Sequence, residues 1–109
     1  MTTVRMTTPE EVKTWIDEGS AVIVDVREPH EFAQAHIPGA RMVPLSRFDP
    51  AALPEVPADK HLVLHCASGV RCGTAASALK ASGFQGDINR LEGGIINWYR
   101  SGGALESGE

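Results

Sequence analysis

The chain has 109 residues, 42% of them apolar, and a formal charge of −4, which suits one domain able to bury a modest core without disulfide or metal staples. The acidic balance and the lack of any Lys/Arg cluster argue against a nucleic-acid or anionic-membrane surface, and no stretch approaches the roughly 18 apolar residues of a membrane span. The start "MTTVRMTTPEEV" has no secretion-signal pattern, so a soluble cytoplasmic protein is expected, and two cysteines six positions apart suggest reactive thiol chemistry there rather than a disulfide framework.

Thr8-Pro9-Glu10-Glu11 has capping-box spacing with proline at the first helical position, and Val12, Trp15 and Ile16 share one face, which predicts a helix stopped at Gly19. The β-branched run "AVIVDV" at 21–26 predicts a strand buried on both faces, as in the middle of a parallel sheet. A short helix over "PHEFAQA" ends before Pro38-Gly39, "RMVPL" is a short strand closed by Pro44, and "SRFDPAALPEV" is a weak helix or turn in a proline-rich crossing. "HLVLHC" at 61–66 is a second buried strand, and "CGTAASALKASG" an alanine-rich helix ending at Gly83. "DINRL" is a strand, Gly93-Gly94 a tight turn, "IINWYRS" a helix, and "GGALESGE" at 102–109 a polar tail expected to fray. Strands alternating with helices give an α/β fold with a mainly parallel sheet covered by helices on both faces. Ligands of such sheets sit beyond the carboxyl ends of the strands, where Cys66 falls.

After Cys66 come Ala67, Ser68, Gly69, Val70 and Arg71, with a helix expected from about Cys72. A loop this tight, with Gly69 free to take positive φ, curls so that backbone N–H groups point inward at the sulfur as an anion-binding nest. The helix N-terminus and Arg71 add positive potential. Such surroundings lower a cysteine pKa from about 8.5 to roughly 3.5–7.5, so Cys66 is read as a nucleophile that needs no separate base. His65 points to the other side of the strand and is read as core or supporting structure. Two cysteines with scattered histidines lack the short ligand pairs of a zinc site, so no metal is expected.

"DVREPHEFAQAHIPGA", "LHCASGVRCGTAASAL" and "INRLEGGIINW" occur in that order, and together they resemble the three signatures of a single-domain rhodanese-like sulfurtransferase across roughly residues 6–101. The resemblance implies a single domain over 1–109 with the rhodanese-like three-layer fold, a sheet of about five strands, and a persulfide carried on Cys66. It implies a cradle from the backbone of Ala67, Ser68, Gly69, Val70 and Arg71, and no cofactor. It also implies ping-pong transfer from a small sulfur donor, thiosulfate or a low-molecular-weight persulfide, to cyanide, a thiol or a partner-protein cysteine. The same fold serves dual-specificity phosphatases of the cell-division-cycle type and related arsenate reductases, whose signature is H-C-x5-R. This chain has H-C-x4-R. One residue fewer removes an N–H donor and up to about 3.6 Å of contour, which favours a single sulfur over a phosphoryl group with its three oxygens.

Arg71 has two open roles, binding the acidic end of a donor or pairing with Asp25 or Glu31 to shape the loop. Neutral Ala67 and Ser68 depart from relatives that have basic residues after the cysteine, which weakens a preference for thiosulfate. Cys72, where the family more often has serine, is either a small helix-start residue or a redox partner that resolves an oxidised or persulfidated Cys66. Asp25, Arg27, Glu31 and His36 are expected to be structural ties, and Trp98 and Tyr99 core anchors. A sulfur-carrier or docking module that presents the persulfide to a protein is the alternative to a free-standing enzyme, and the same loop serves both.

Overall fold

The computed structural model describes residues 3–108. Thr8 opens the first helix as expected: its hydroxyl accepts from the Glu11 N–H and the Glu11 carboxylate accepts from the Thr8 N–H, both at 3.2 Å. That helix is α1 (Pro9–Asp17), preceded by β1 (Val4–Thr7) and followed by β2 (Ala21–Asp25) and α2 (Pro29–Gln34). After β3 (Arg41–Met42) the proline-rich crossing holds two single 3-10 turns, Leu45–Arg47 and Pro50–Ala52. Then come β4 (His61–His65), α3 (Val70–Ala81), β5 (Ile88–Leu91) and α4 (Gly94–Arg100).

The five strands pair in the order β1-β5-β4-β2-β3, all parallel, with Val24 opposite Leu64 and Leu64 opposite Arg90. Strand alternation sorts the core into two halves. Val22, Val24, Leu62, Leu64 and Cys66 face α3 and the 45–56 crossing, where Ala75, Ala76 and Leu79 meet them. Ala21, Ile23, Val63 and Leu91 face the other way, toward Val12 of α1 and Ile95 and Trp98 of α4. These are the three expected layers, with helices on both faces of a parallel sheet.

Three features depart from the sequence reading. β1 is one: "VRMT" is too short for its alternation to signal a strand, its apolar Val4 and Met6 stay exposed, and it is a strand because β5 offers it an open edge. The tail expected to fray is docked instead. His36 and Glu106 exchange backbone hydrogen bonds of 2.8 and 2.9 Å, the Trp98 indole N–H donates to the Ala104 carbonyl at 2.9 Å, and Leu105 packs on the core. Its polarity hid one apolar anchor and a bridge to a residue 70 positions away. Tyr99 is 67% exposed while Trp98 is buried, because the period of α4 turns Ile95 and Trp98 inward and Ile96 and Tyr99 out.

Candidate active site

β4 is the central strand, so the residue after its carboxyl end emerges between the two core halves. That residue is Cys66, only 1% exposed. The chain must reverse at once to begin α3, and Gly69 permits it with φ +106, where a side chain would be strained. α3 therefore starts at Val70, two residues earlier than expected, which brings Arg71 and Cys72 into its first turn.

The reversal turns the loop's N–H groups inward and its carbonyls outward. The Gly69 N–H donates to Cys66 Sγ at 3.1 Å, and the N–H groups of Ser68 and Cys72 also face the sulfur. Outside, the start of α4 caps the carbonyls: the Ile95 N–H donates to Cys66 O at 2.8 Å and the Ile96 N–H to Ala67 O at 3.2 Å. Gly94, with φ +64, makes that approach possible, since a Cβ there would lie 2.5 Å from Ala67 O. The third outward carbonyl, Gly69 O, accepts from Arg90 Nη2 at 2.8 Å and lies 3.1 Å from the Cys72 thiol.

This arrangement pulls the Cys66 pKa from the ordinary thiol range to about 5. The Cys72 thiol donating to the sulfur contributes most, and the N–H groups of Cys72, Gly69 and Ser68 add to it against the opposing effect of burial. Cys66 is thus a thiolate at neutral pH, losing its charge only as pH falls through about 5. Cys72 in turn keeps its own proton: the hydrogen bond to Cys66, burial and then the Cys66 charge push its thiol far above its ordinary value.

Arg71 is occupied. Its two terminal nitrogens lie 2.7 and 2.8 Å from the two carboxylate oxygens of Glu31, a bidentate fork tying α3 to α2. The fork, chiefly through the Arg71 hydrogen bonds, lowers the Glu31 pKa to about 2. Its folded-state value is depressed, so the clamp's contribution to stability is fully present above pH 4.5 and is lost as pH falls toward 2.

Beneath the site, fully buried Asp25 accepts from the Arg27 backbone N–H at 2.9 Å and from its guanidinium at 2.7–3.1 Å, and Arg27 Nη2 also donates to Ala35 O at 2.6 Å. His65 lies on the other side of β4 from Cys66. Burial lowers its pKa and keeps it neutral, and its Nε2 is 3.6 Å from Asp25 Oδ2, beyond hydrogen-bonding range. His36 stacks on Phe32 and approaches Phe32 O and Glu106 Oε1 at 2.9 and 3.0 Å. The bonds of Asp25, Arg27 and His36 fasten the 25–36 segment. Among the described residues, no group of three or more His, Cys, Asp or Glu side chains is arranged to hold a metal ion, and no helix is long and apolar enough to cross a membrane.

The residues gathered at the loop are therefore the ones the sequence singled out, Cys66 to Cys72, with Glu31, one of the two partners expected for Arg71, and joined by one it did not, Arg90 as a hook on Gly69. The Arg90 contact has no local signal, because its partner lies 21 positions away.

Comparison with known proteins follows the same lines. The chain is 40% identical over 95 residues to the probable adenylyltransferase/sulfurtransferase MoeZ of Mycobacterium tuberculosis, covering 85% of this chain but 24% of that protein. It is 38% identical over 86 residues to a sulfurtransferase of Allochromatium vinosum, covering 79% of this chain and 78% of the relative. Among solved structures, the thiosulfate sulfurtransferase of Pseudomonas aeruginosa superposes with a TM-score of 0.80 at 26% identity, over 97% of this chain and 21% of that one. The profile described as Rhodanese-like domain matches residues 8–101, and the chain belongs to the rhodanese-like domain family.

Proposed function

We propose that this chain is a sulfurtransferase in which Cys66 carries the sulfur as a persulfide. The observation that carries the reading is the ring of inward N–H donors on a sulfur already ionised at neutral pH, in a loop one residue shorter than an H-C-x5-R cradle. The Cys66 thiolate attacks the sulfane sulfur of thiosulfate or a small persulfide. The donor's S–S bond breaks, and sulfite or a thiolate leaves with the electron pair. The N–H groups of Ser68, Gly69 and Cys72 hold the resulting persulfide anion. A thiolate or cyanide then attacks the outer sulfur and returns Cys66 to its resting thiolate, so charge and atoms balance without cofactor or metal. Steady-state rates with varied thiosulfate and cyanide should give the parallel double-reciprocal lines of a ping-pong cycle; converging lines would overturn it.

Arg71, with its fork occupied by Glu31, closes and shapes the loop in this reading rather than binding the donor. Arg71→Ala and Glu31→Gln break the same clamp and are expected to lower kcat/KM alike, by about tenfold. If Arg71 bound the donor, Arg71→Ala alone would raise KM for thiosulfate, because Glu31→Gln leaves the guanidinium free.

A partner-protein cysteine as sulfur acceptor is supported by a separate observation. Val70, 76% exposed directly after Gly69, and Ile96, exposed on α4 where its N–H meets Ala67 O of the loop, are apolar side chains left open beside a Cys66 that is itself buried. In that sulfur-carrier reading, turnover with small acceptors is slow although Cys66 still loads. For Cys72 we propose two roles: its thiol donates a hydrogen bond to the Cys66 thiolate, and it is the redox partner when a peroxide oxidises Cys66 to a sulfenic acid. The sulfenic acid and the Cys72 thiol then condense to a disulfide with loss of water.

A further inference from the structure

Arg90 is a cation in an expensive place. It projects from β5 on the same face as Ile88, toward α3. Its guanidinium lies against the first turn of α3, where a Cβ on Gly73 would come within 2.9 Å of Nη2. A positive group at a helix N-terminus opposes the helix dipole. Among the described residues no carboxylate pairs with it, and its buried Nε has no acceptor. A feature that costs stability on three counts calls for a role. Its contacts supply one: Nη2 donates at 2.8 Å to Gly69 O, the carbonyl that the Cys72 thiol also approaches at 3.1 Å, and the guanidinium offsets part of the rise in the Cys72 pKa.

Those contacts bear on a competition. The Cys72 thiol has one proton and two acceptors in reach, Gly69 O and the Cys66 sulfur. A charge-assisted bond from Arg90 makes Gly69 O a poorer acceptor for a weak S–H donor. The Arg90 charge also favours negative charge on the Cys72 sulfur, which polarises its S–H bond toward the next acceptor.

We propose that Arg90 is a positioning residue of the sulfur cradle: it holds the Gly69 carbonyl outside the loop and directs the Cys72 proton onto the Cys66 sulfur. The relay runs from Arg90 to Cys72 to Cys66, and Gly73 exists in the first turn of α3 to leave room for the guanidinium. The inference deepens the reading of Cys66 as a thiolate nucleophile and rests on it.

The test is the pH dependence of Cys66 alkylation by iodoacetamide, followed on the Cys66 peptide, with thermal melting of each variant alongside. The readout is the thiolate itself, so it does not depend on which donor the protein uses. Wild type should show a midpoint near pH 5. Arg90→Met should raise it by about one unit or more, and Arg90→Lys should recover part of the shift, as a charge without the fork. Gly73→Ala removes no donor and improves helix propensity, yet it displaces the guanidinium. It should raise the midpoint without lowering the melting temperature, and it decides the matter alone should Arg90→Met fail to fold. Variants that melt lower with an unmoved midpoint would make Arg90 merely structural and overturn the proposal. A wild-type midpoint near the ordinary thiol value would overturn the thiolate reading itself.

Discussion

Cys66→Ser is expected to abolish sulfur transfer, lowering kcat/KM by about three orders of magnitude or more while the protein stays folded. Serine is nearly the same size, and the loop's outward carbonyls remain capped by Ile95, Ile96 and Arg90, so the cradle keeps its form. What disappears is the chemistry. Inward N–H groups that bring a thiol to about pKa 5 leave an alcohol protonated at neutral pH, and an alcohol oxygen does not hold a sulfane sulfur. The melting temperature should move by less than about 8 °C, corresponding to about 1 kcal/mol in a domain of this size. Circular dichroism and steady-state assays check the two halves together. Residual transfer within tenfold of wild type would move the nucleophile elsewhere.

Gly94→Ala is expected to cost about 3 kcal/mol or more and to take the site with it. Two penalties coincide there. The residue has φ +64, and its Cβ would sit 2.5 Å from Ala67 O and 2.6 Å from Ala67 C and Cys66 O, closer than real Cβ atoms come. The opposing atoms are backbone, so no side chain can swing aside. They are also the carbonyls that Ile95 and Ile96 cap, and pushing Ala67 O away rotates the peptide group whose Ser68 N–H faces Cys66. Gly19→Ala is the control, with a similar φ of +72 and nothing within 4 Å of its Cβ. It carries the backbone strain alone, about 1 kcal/mol. Thermal melts of both variants separate strain from collision. Equal losses would mean that the close approach of α4 to the loop contributes nothing.

Much of this architecture is legible in the chain itself, because its signals are local. "AVIVDV" and "HLVLHC" announce buried parallel strands, Thr8 to Glu11 a capped helix, and Gly69 with Gly93-Gly94 the reversals on either side of the nucleophile. What escaped reading depends on partners distant in sequence. "VRMT" becomes a strand only beside β5, the tail docks through His36, and only the packing of α2 on α3 decides that Arg71 takes Glu31 of its two expected partners. Arg90 looks like any strand residue until α3 is laid across it and Gly73 is seen to leave it space. The start of α3 is hidden from the sequence for a related reason. Val70 is a poor sequence cue for a helix start, but a left-handed Gly69 lets the helix begin directly behind the loop.

The central claim, that this cradle is built to hold one sulfur on Cys66, is tested most directly by peptide-mapped mass spectrometry of the wild-type protein after excess thiosulfate or a small persulfide, before and after cyanide. The account predicts one added sulfur atom on the Cys66 peptide and none on Cys72. Cyanide should remove it as a single equivalent of thiocyanate. Failure of Cys66 to gain sulfur from either donor, or sulfur carried on Cys72 instead, would contradict it.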